Sequence, residues 1–217
     1  MMIDRAGLPF IAVPLVAAAF GAALGAGAWS FALLAVAAFM AWFFRDPDRR
    51  VPSGDDLVVA PADGRVTVAG EPEPGVAPPG SWQQASIFLS PLDVHINRVP
   101  FGGRVTRVDY RPGRFLAAYR PEAARENERS EVWVEREGRV VVARQVVGVL
   151  ARRVVCRLAP GQDVATGARF GLMKFGSRMD VFVPEDAALA VGVGARVRGG
   201  ESVVARFPGA NLGGANA

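Results

Sequence analysis

Hydrophobic and polar positions divide the chain into two textures. From Leu8 to Phe44 no residue is charged and apolar side chains fill most positions; further on, short valine-rich runs alternate with glycine and proline. A bilayer core of about 30 Å takes about 20 apolar residues per helix, so the first stretch is too long for one crossing. It predicts two short helices, about 8–24 and 29–44, joined at Gly25-Ala26-Gly27. Arg5 precedes them and Arg45, Arg49 and Arg50 follow, which places both ends on the cytoplasmic side of a membrane by the positive-inside rule. Two other readings compete. Ala26-Gly27-Ala28 resembles a signal-peptide cleavage site, but the second apolar run would still anchor the product. A buried hairpin in a soluble core would need cover on all sides, and nothing downstream looks able to supply it.

After Pro52 the alternation of short apolar runs with turn residues predicts an all-β domain. Strands are expected at 57–60, 65–69, 85–89, 94–99, 103–110, 131–136, 140–149, 153–158 and 179–183. The stretch 115–127 is the one candidate helix or long loop, and 209–217 has too little apolar content to pack. At 217 residues and 51% hydrophobic, the chain holds one sizeable core beside the membrane segment. The net charge of +4 comes almost wholly from scattered arginines, Lys174 being the sole lysine. Without a dense basic run, nucleic acid is not an expected partner; attraction to anionic lipid headgroups fits better. One cysteine, Cys156, and one histidine, His95, leave no internal disulfide and no zinc cluster. No metal is expected, and Cys156 reads as a buried strand residue.

Candidate chemistry centres on Gly176-Ser177, inside the run Leu172-Met173-Lys174-Phe175-Gly176-Ser177-Arg178-Met179-Asp180-Val181-Phe182-Val183-Pro184. A serine hydroxyl can attack the preceding glycine carbonyl when a base takes its proton, turning the amide into an ester. Elimination and hydrolysis then leave a pyruvoyl group. A second dipeptide, Gly80-Ser81, lies in a proline-rich loop read as solvated and unstrained. Gly176-Ser177 instead interrupts an apolar strand-like run, where glycine marks a bulge or sharp bend; the plain alternative is a hairpin bend. His95 is the only imidazole available as base, although a lone histidine is more often structural. Asp63, in Pro61-Ala62-Asp63-Gly64, is either an ordinary turn residue or the carboxylate that orients the imidazole.

Six blocks in order carry a resemblance: Phe43-Phe44-Arg45-Asp46-Pro47, Ala60-Pro61-Ala62-Asp63-Gly64, Ser90-Pro91-Leu92-Asp93-Val94-His95-Ile96-Asn97-Arg98, Asn127-Glu128-Arg129, Arg144-Gln145-Val146-Val147-Gly148 and Lys174-Phe175-Gly176-Ser177-Arg178. From about Phe43 to Pro184 the chain resembles the short, membrane-associated phosphatidylserine decarboxylase proenzymes. The resemblance implies self-cleavage between Gly176 and Ser177. The mature enzyme would then pair a large chain, 1–176, with a small chain, 177–217, that begins with a pyruvoyl cofactor derived from Ser177. His95 and Asp63 would assist. Phosphatidylserine in the bilayer would form a Schiff base with the pyruvoyl, lose carbon dioxide and leave as phosphatidylethanolamine. In longer family members a second histidine stands where this chain has Arg98, so His95 would serve both steps or Arg98 would hold a substrate anion; Arg178 is the other anion-binding candidate.

The resulting expectation is mainly β: a transmembrane helical hairpin over 1–48, a compact all-β catalytic domain with few short helices over 49–208, and a flexible tail over 209–217. Its place would be the cell inner membrane, with the catalytic domain on the cytoplasmic face. Two alternatives remain open. One is a decarboxylase of another serine lipid such as archaetidylserine; the other is a membrane-tethered carrier of biotinyl or lipoyl type, modified at Lys174.

Overall fold

The computed structural model describes residues 2–149, 154–174 and 176–209, and the chain forms two compact units, Met1–Asp48 and Arg49–Ala217. In the first unit, a two-residue strand β1 (Met2–Ile3) precedes helices α1 (Leu8–Ala23) and α2 (Gly27–Phe43), and β2 (Arg45–Asp46) follows. A proline in the first turn of α1 costs no hydrogen bond. Gly25 turns the chain with φ 78°, a left-handed geometry open to glycine. The helices approach through small residues: a Cβ on Gly21 would lie 2.9 Å from Ser30 Oγ, and that hydroxyl donates to the Ala26 carbonyl at 3.0 Å. β1 and β2 pair antiparallel, Met2 opposite Asp46, so the chain entering the hairpin is tied to the chain leaving it. Neither helix carries a charge, and large side chains stand in the open, Val16 at 70% and Phe31 at 76% exposure. Arg5–Ala23, 19 residues with mean hydropathy 1.9, is long and apolar enough to cross a membrane; Gly27–Phe43 is a shorter apolar helix.

The second unit is mainly β, as the valine-rich texture foretold. Its strands are β3 (Leu57–Val59), β4 (Gly64–Gly70), β5 (Trp82–Leu89), β6 (Ile96–Arg98), β7 (Gly103–Arg111), β8 (Arg129–Arg136) and β9 (Arg139–Val146). Then come β10 (Val154–Cys156), β11 (Asp163–Val164), β12 (Arg169–Met173), β13 (Ser177–Pro184), β14 (Ala188–Leu189), β15 (Arg196–Val197) and β16 (Val203–Arg206). One short helix, α3 (Ala123–Glu126), precedes β8. Eight strands form an antiparallel sheet in the order β11-β7-β8-β9-β13-β5-β4-β15, flanked by the smaller sheets β10-β12-β6 and β14-β16-β3.

Side chains alternate across each strand, and in β13 the result is two different faces. Met179, Val181 and Val183 point into the main core with Ile87, Val132 and Ala143, whereas Phe182 packs on the outer face with Val142, Val76 and Ala124. The proline-rich loop 71–80 supplies Val76, 4% exposed, to that outer cluster. Positions 71, 74, 75, 79 and 80 are exposed, while Val76 gives the outer apolar face of the sheet its cover. The run 115–127 is largely irregular and ends in the single turn of α3. β11, β12 and β14 to β16 were not expected, and Cys156 is half-buried in β10 instead of fully buried. Arg153 and positions 210–217 of the expected tail lie outside the described residues.

Candidate active site

Ser177 opens β13, opposite Leu89 of β5. Immediately before it Gly176 has φ 69°, so the chain reaches the strand through a left-handed residue and the peptide between them sits at a bend. Phe175 lies outside the described residues. Ser177 is fully buried, and its Oγ is a buried hydroxyl with no hydrogen-bond partner among the described residues. Leaving a hydroxyl in this state costs roughly 1–3 kcal/mol. Unpartnered buried groups of this kind accompany catalytic roles.

His95, 1% exposed, stands beside the bend. Its Nδ1 lies 2.9 Å from the Asp93 carbonyl. A carbonyl can only accept, so Nδ1 carries the proton and the lone pair falls on Nε2. Nε2 accepts the Gly176 N–H at 3.4 Å, a long bond that leaves the base directed at the residue preceding Ser177. The Asp93 carbonyl is itself held in place. Asp93 Oδ2 accepts from the Ser90 N–H at 2.9 Å and from its hydroxyl at 2.8 Å, while Arg196 donates to Oδ1 at 2.8 Å.

Across from the imidazole the Gly176 carbonyl meets Gly148. A Cβ built on Gly148 would lie 2.0 Å from the Gly176 oxygen, so only a residue without a side chain fits there. Asn127 fixes this approach: its Nδ2 donates to Val147 O and Leu116 O, each at 2.8 Å, and its Oδ1 accepts from Leu116 N–H at 2.9 Å. The Glu128 carbonyl accepts the Val147 N–H at 3.1 Å. Gln145 Nε2 donates to Asn97 Oδ1 at 2.8 Å, joining β9 to the strand that follows His95. Gly148 entered the sequence reading only as the last residue of a motif block, with no role assigned. A glycine interrupting the valine run 146–149 was the available signal of close backbone approach.

Asp63 is engaged by other partners. Arg49 Nη2 donates to both its oxygens, at 2.9 and 2.8 Å, and the Gly199 N–H donates to Oδ1 at 2.8 Å. The orienting contact at His95 Nδ1, expected from Asp63, is made by the Asp93 carbonyl. Arg98, 5% exposed, donates from Nη1 to Gly167 O at 3.2 Å and packs near Gly200. Arg98 therefore shares a neighbourhood with Arg49. Arg178 projects from the opposite face of β13 to Ser177. There its Nε donates to Asp180 Oδ1 at 2.6 Å and its Nη2 to Ser86 Oγ at 2.9 Å and to Glu73. Burial opposes its charge, but the Asp180 and Glu73 carboxylates more than offset this and raise its pKa. Those contacts hold Arg178 away from the serine. Lys174 is half-buried just after β12. Among the described residues no group of three or more His, Cys, Asp or Glu side chains could hold a metal.

A mainly β domain that brings an unpartnered serine, a bent glycyl bond and a neutral imidazole together has the components of an enzyme, and comparison with known proteins agrees. The family model described as phosphatidylserine decarboxylase matches residues 36–205. The phosphatidylserine decarboxylase proenzyme of Magnetococcus marinus is 40% identical over 210 residues, covering 96% of this chain and 96% of that one. That of Paramagnetospirillum magneticum is 42% identical over 94% of this chain and 86% of its own. The proenzyme of Salinibacter ruber is 46% identical over 79% and 77%. The chain belongs to the phosphatidylserine decarboxylase family of carboxy-lyases.

Proposed function

We propose that this chain decarboxylates phosphatidylserine to phosphatidylethanolamine after cutting itself between Gly176 and Ser177. The observation that carries the proposal is the buried Ser177 hydroxyl, without a partner among the described residues, next to left-handed Gly176 and the His95 lone pair. A serine destined for a structural role would have had its hydroxyl bonded.

In the self-cleavage, Ser177 Oγ bonds to the Gly176 carbonyl carbon as its proton passes to His95. The carbon–nitrogen bond then breaks, and the same proton goes to the departing Ser177 amine. Loss of the Ser177 Cα proton expels Gly176 as a carboxylate and leaves an enamine. Water converts this to the pyruvoyl ketone and ammonia. Gly148 keeps the Gly176 oxygen in a fixed position throughout, and Asn127 keeps Gly148 there. The pyruvoyl group supplies an electron sink for carbon dioxide loss. His95 would return a proton to the α-carbon of the product. Arg98 is the candidate for the substrate's phosphodiester or carboxylate. Asp63 acts by holding Arg49 and the Gly199 loop beside Arg98.

The two apolar helices are proposed to form a membrane hairpin, supported by the hydropathy of Arg5–Ala23 and by the arginines that follow the second helix. That hairpin would keep the domain on the cytoplasmic face of the inner membrane, where its lipid substrate is. Denaturing electrophoresis with intact mass measurement tests the whole proposal. The purified protein should give two fragments divided before residue 177, the smaller with a blocked, ketone-bearing start. An unbroken chain with an ordinary serine would overturn it.

A further inference from the structure

The outer face of the large sheet, on the far side of β13 from the Ser177 side chain, holds a cavity of about 250 Å³ that the catalytic reading does not use. Its floor is β7, β8 and β9, and one wall is the proline-rich loop through Pro78 and Pro79. Arg107, Arg111, Arg129 and Arg144 line it together with Glu131 and Trp133. Arg129 and Arg144 fall in two of the motif blocks, yet neither side chain belongs to the serine site.

The charges in this cavity do not balance. Arg144 is matched by Glu131, Nε to Oε1 at 3.0 Å, and Arg107 by Asp109 at 2.6 Å. Arg129 Nε lies 3.7 Å from the same Glu131 oxygen, too far for a hydrogen bond. Arg111 is exposed and has no ion pair among the described residues. Four guanidinium groups thus face two carboxylates, an excess of two positive charges under partial burial. Two donors are also unspent: Arg129 Nε and Trp133 Nε1 are buried without hydrogen-bond partners among the described residues. Burial and the neighbouring Arg144 lower the Arg129 pKa, as expected of a cation waiting for an anion. A wall of N–H donors with a surplus of two charges suits one compact dianion. Guanidinium forks match tetrahedral oxyanions in particular, and the volume is below that of pockets for drug-sized ligands.

We infer that this cavity is a binding site for a phosphate or small phosphomonoester dianion, separate from the decarboxylation site. The bound dianion would bridge Arg111 and Arg129 and fasten the loop 71–80 over the sheet.

Calorimetric titration of the detergent-solubilised full-length protein, with inorganic phosphate in one arm and glycerol phosphate in the other, at ionic strength matched with chloride, tests this. Binding in both arms identifies the bare dianion as ligand; binding of glycerol phosphate alone identifies an organic phosphomonoester. Either should raise the thermal midpoint by about 3–5 °C at roughly ten times the dissociation constant. Arg111→Gln, at an exposed position, should weaken binding about tenfold and leave self-cleavage unchanged; adding Arg129→Gln should remove binding. The inference fails if neither anion binds the wild type above the chloride control, or if Arg111→Gln binds as tightly as wild type.

Discussion

Ser177 and Arg178 are neighbours on one strand, and they live under opposite rules. Arg178 reaches the outer face and enters a network with Asp180, Ser86 and Glu73, its charge answered on each side. Ser177 faces inward, fully buried, and its hydroxyl has no partner among the described residues. The pleat makes this possible, because one residue step exchanges faces. A face whose charge is answered stabilises the strand. A face with an unanswered hydroxyl stores the cost of desolvation for chemistry. The comparison teaches that the two demands coexist at adjacent positions because the sheet keeps them apart.

Substitutions can break either side of the contrast. The largest effect is expected from Ser177→Ala, which should leave the chain whole on a denaturing gel and abolish carbon dioxide release, whereas Ser81→Ala should process normally. His95→Ala should slow self-cleavage by about 10²–10⁴-fold, followed as appearance of the small fragment over time. On the other face, Arg178→Met leaves the buried Asp180 and the half-buried Glu73 without their cation and should cost about 3–5 kcal/mol in denaturant titrations, while molecules that do fold should still cut themselves. If Arg178→Met instead prevented cutting at unchanged stability, the separation of the faces would be wrong. Gly148→Ala sets a methyl against the Gly176 oxygen. A misplacement of that order slows processing by about 100-fold, and the strain should cost about 1–3 kcal/mol of stability. The smallest effect concerns Glu201, whose pKa is lowered by the Arg50 backbone N–H and by Arg49. A depressed carboxylate stabilises the fold above its unfolded pKa, and that contribution is lost as pH falls through the folded value. Glu201→Gln should therefore flatten the thermal midpoint between pH 5 and 3 by a degree or so, since the group is only partly buried.

Much of the fold was legible because the strands that matter most are long and carry apolar runs. β5, β7, β8, β9 and β13 announce themselves by apolar runs between turn residues. β12 escaped notice because Gly171 interrupts it; that glycine lets the Val155 carbonyl approach within 2.1 Å of where a Cβ would stand. β11, β14 and β15 are two residues long and exist through their tertiary neighbours. At the site, Gly176-Ser177 and His95 were found because a bend inside a strand-like run and a single imidazole are local signals. The Asp93 carbonyl, which makes no mark in a sequence, could not be read as the group that sets the His95 tautomer. The same holds for Asp63 and Arg49, whose pairing depends on how the chain returns through Gly199 and Gly200. Gly148 meets Gly176 only after the intervening chain, with β10 to β12, has folded.

A cut before residue 177 would sever the backbone at the edge of the most interwoven strand. β13 lies between β9 and β5, and beyond it β15 joins β4 and β16 joins β3. The short downstream piece pairs with strands of the longer one in two sheets, so scission would not let it drift away. The nicked molecule should sediment and melt as a single particle and come apart only when the ladders themselves are dissolved.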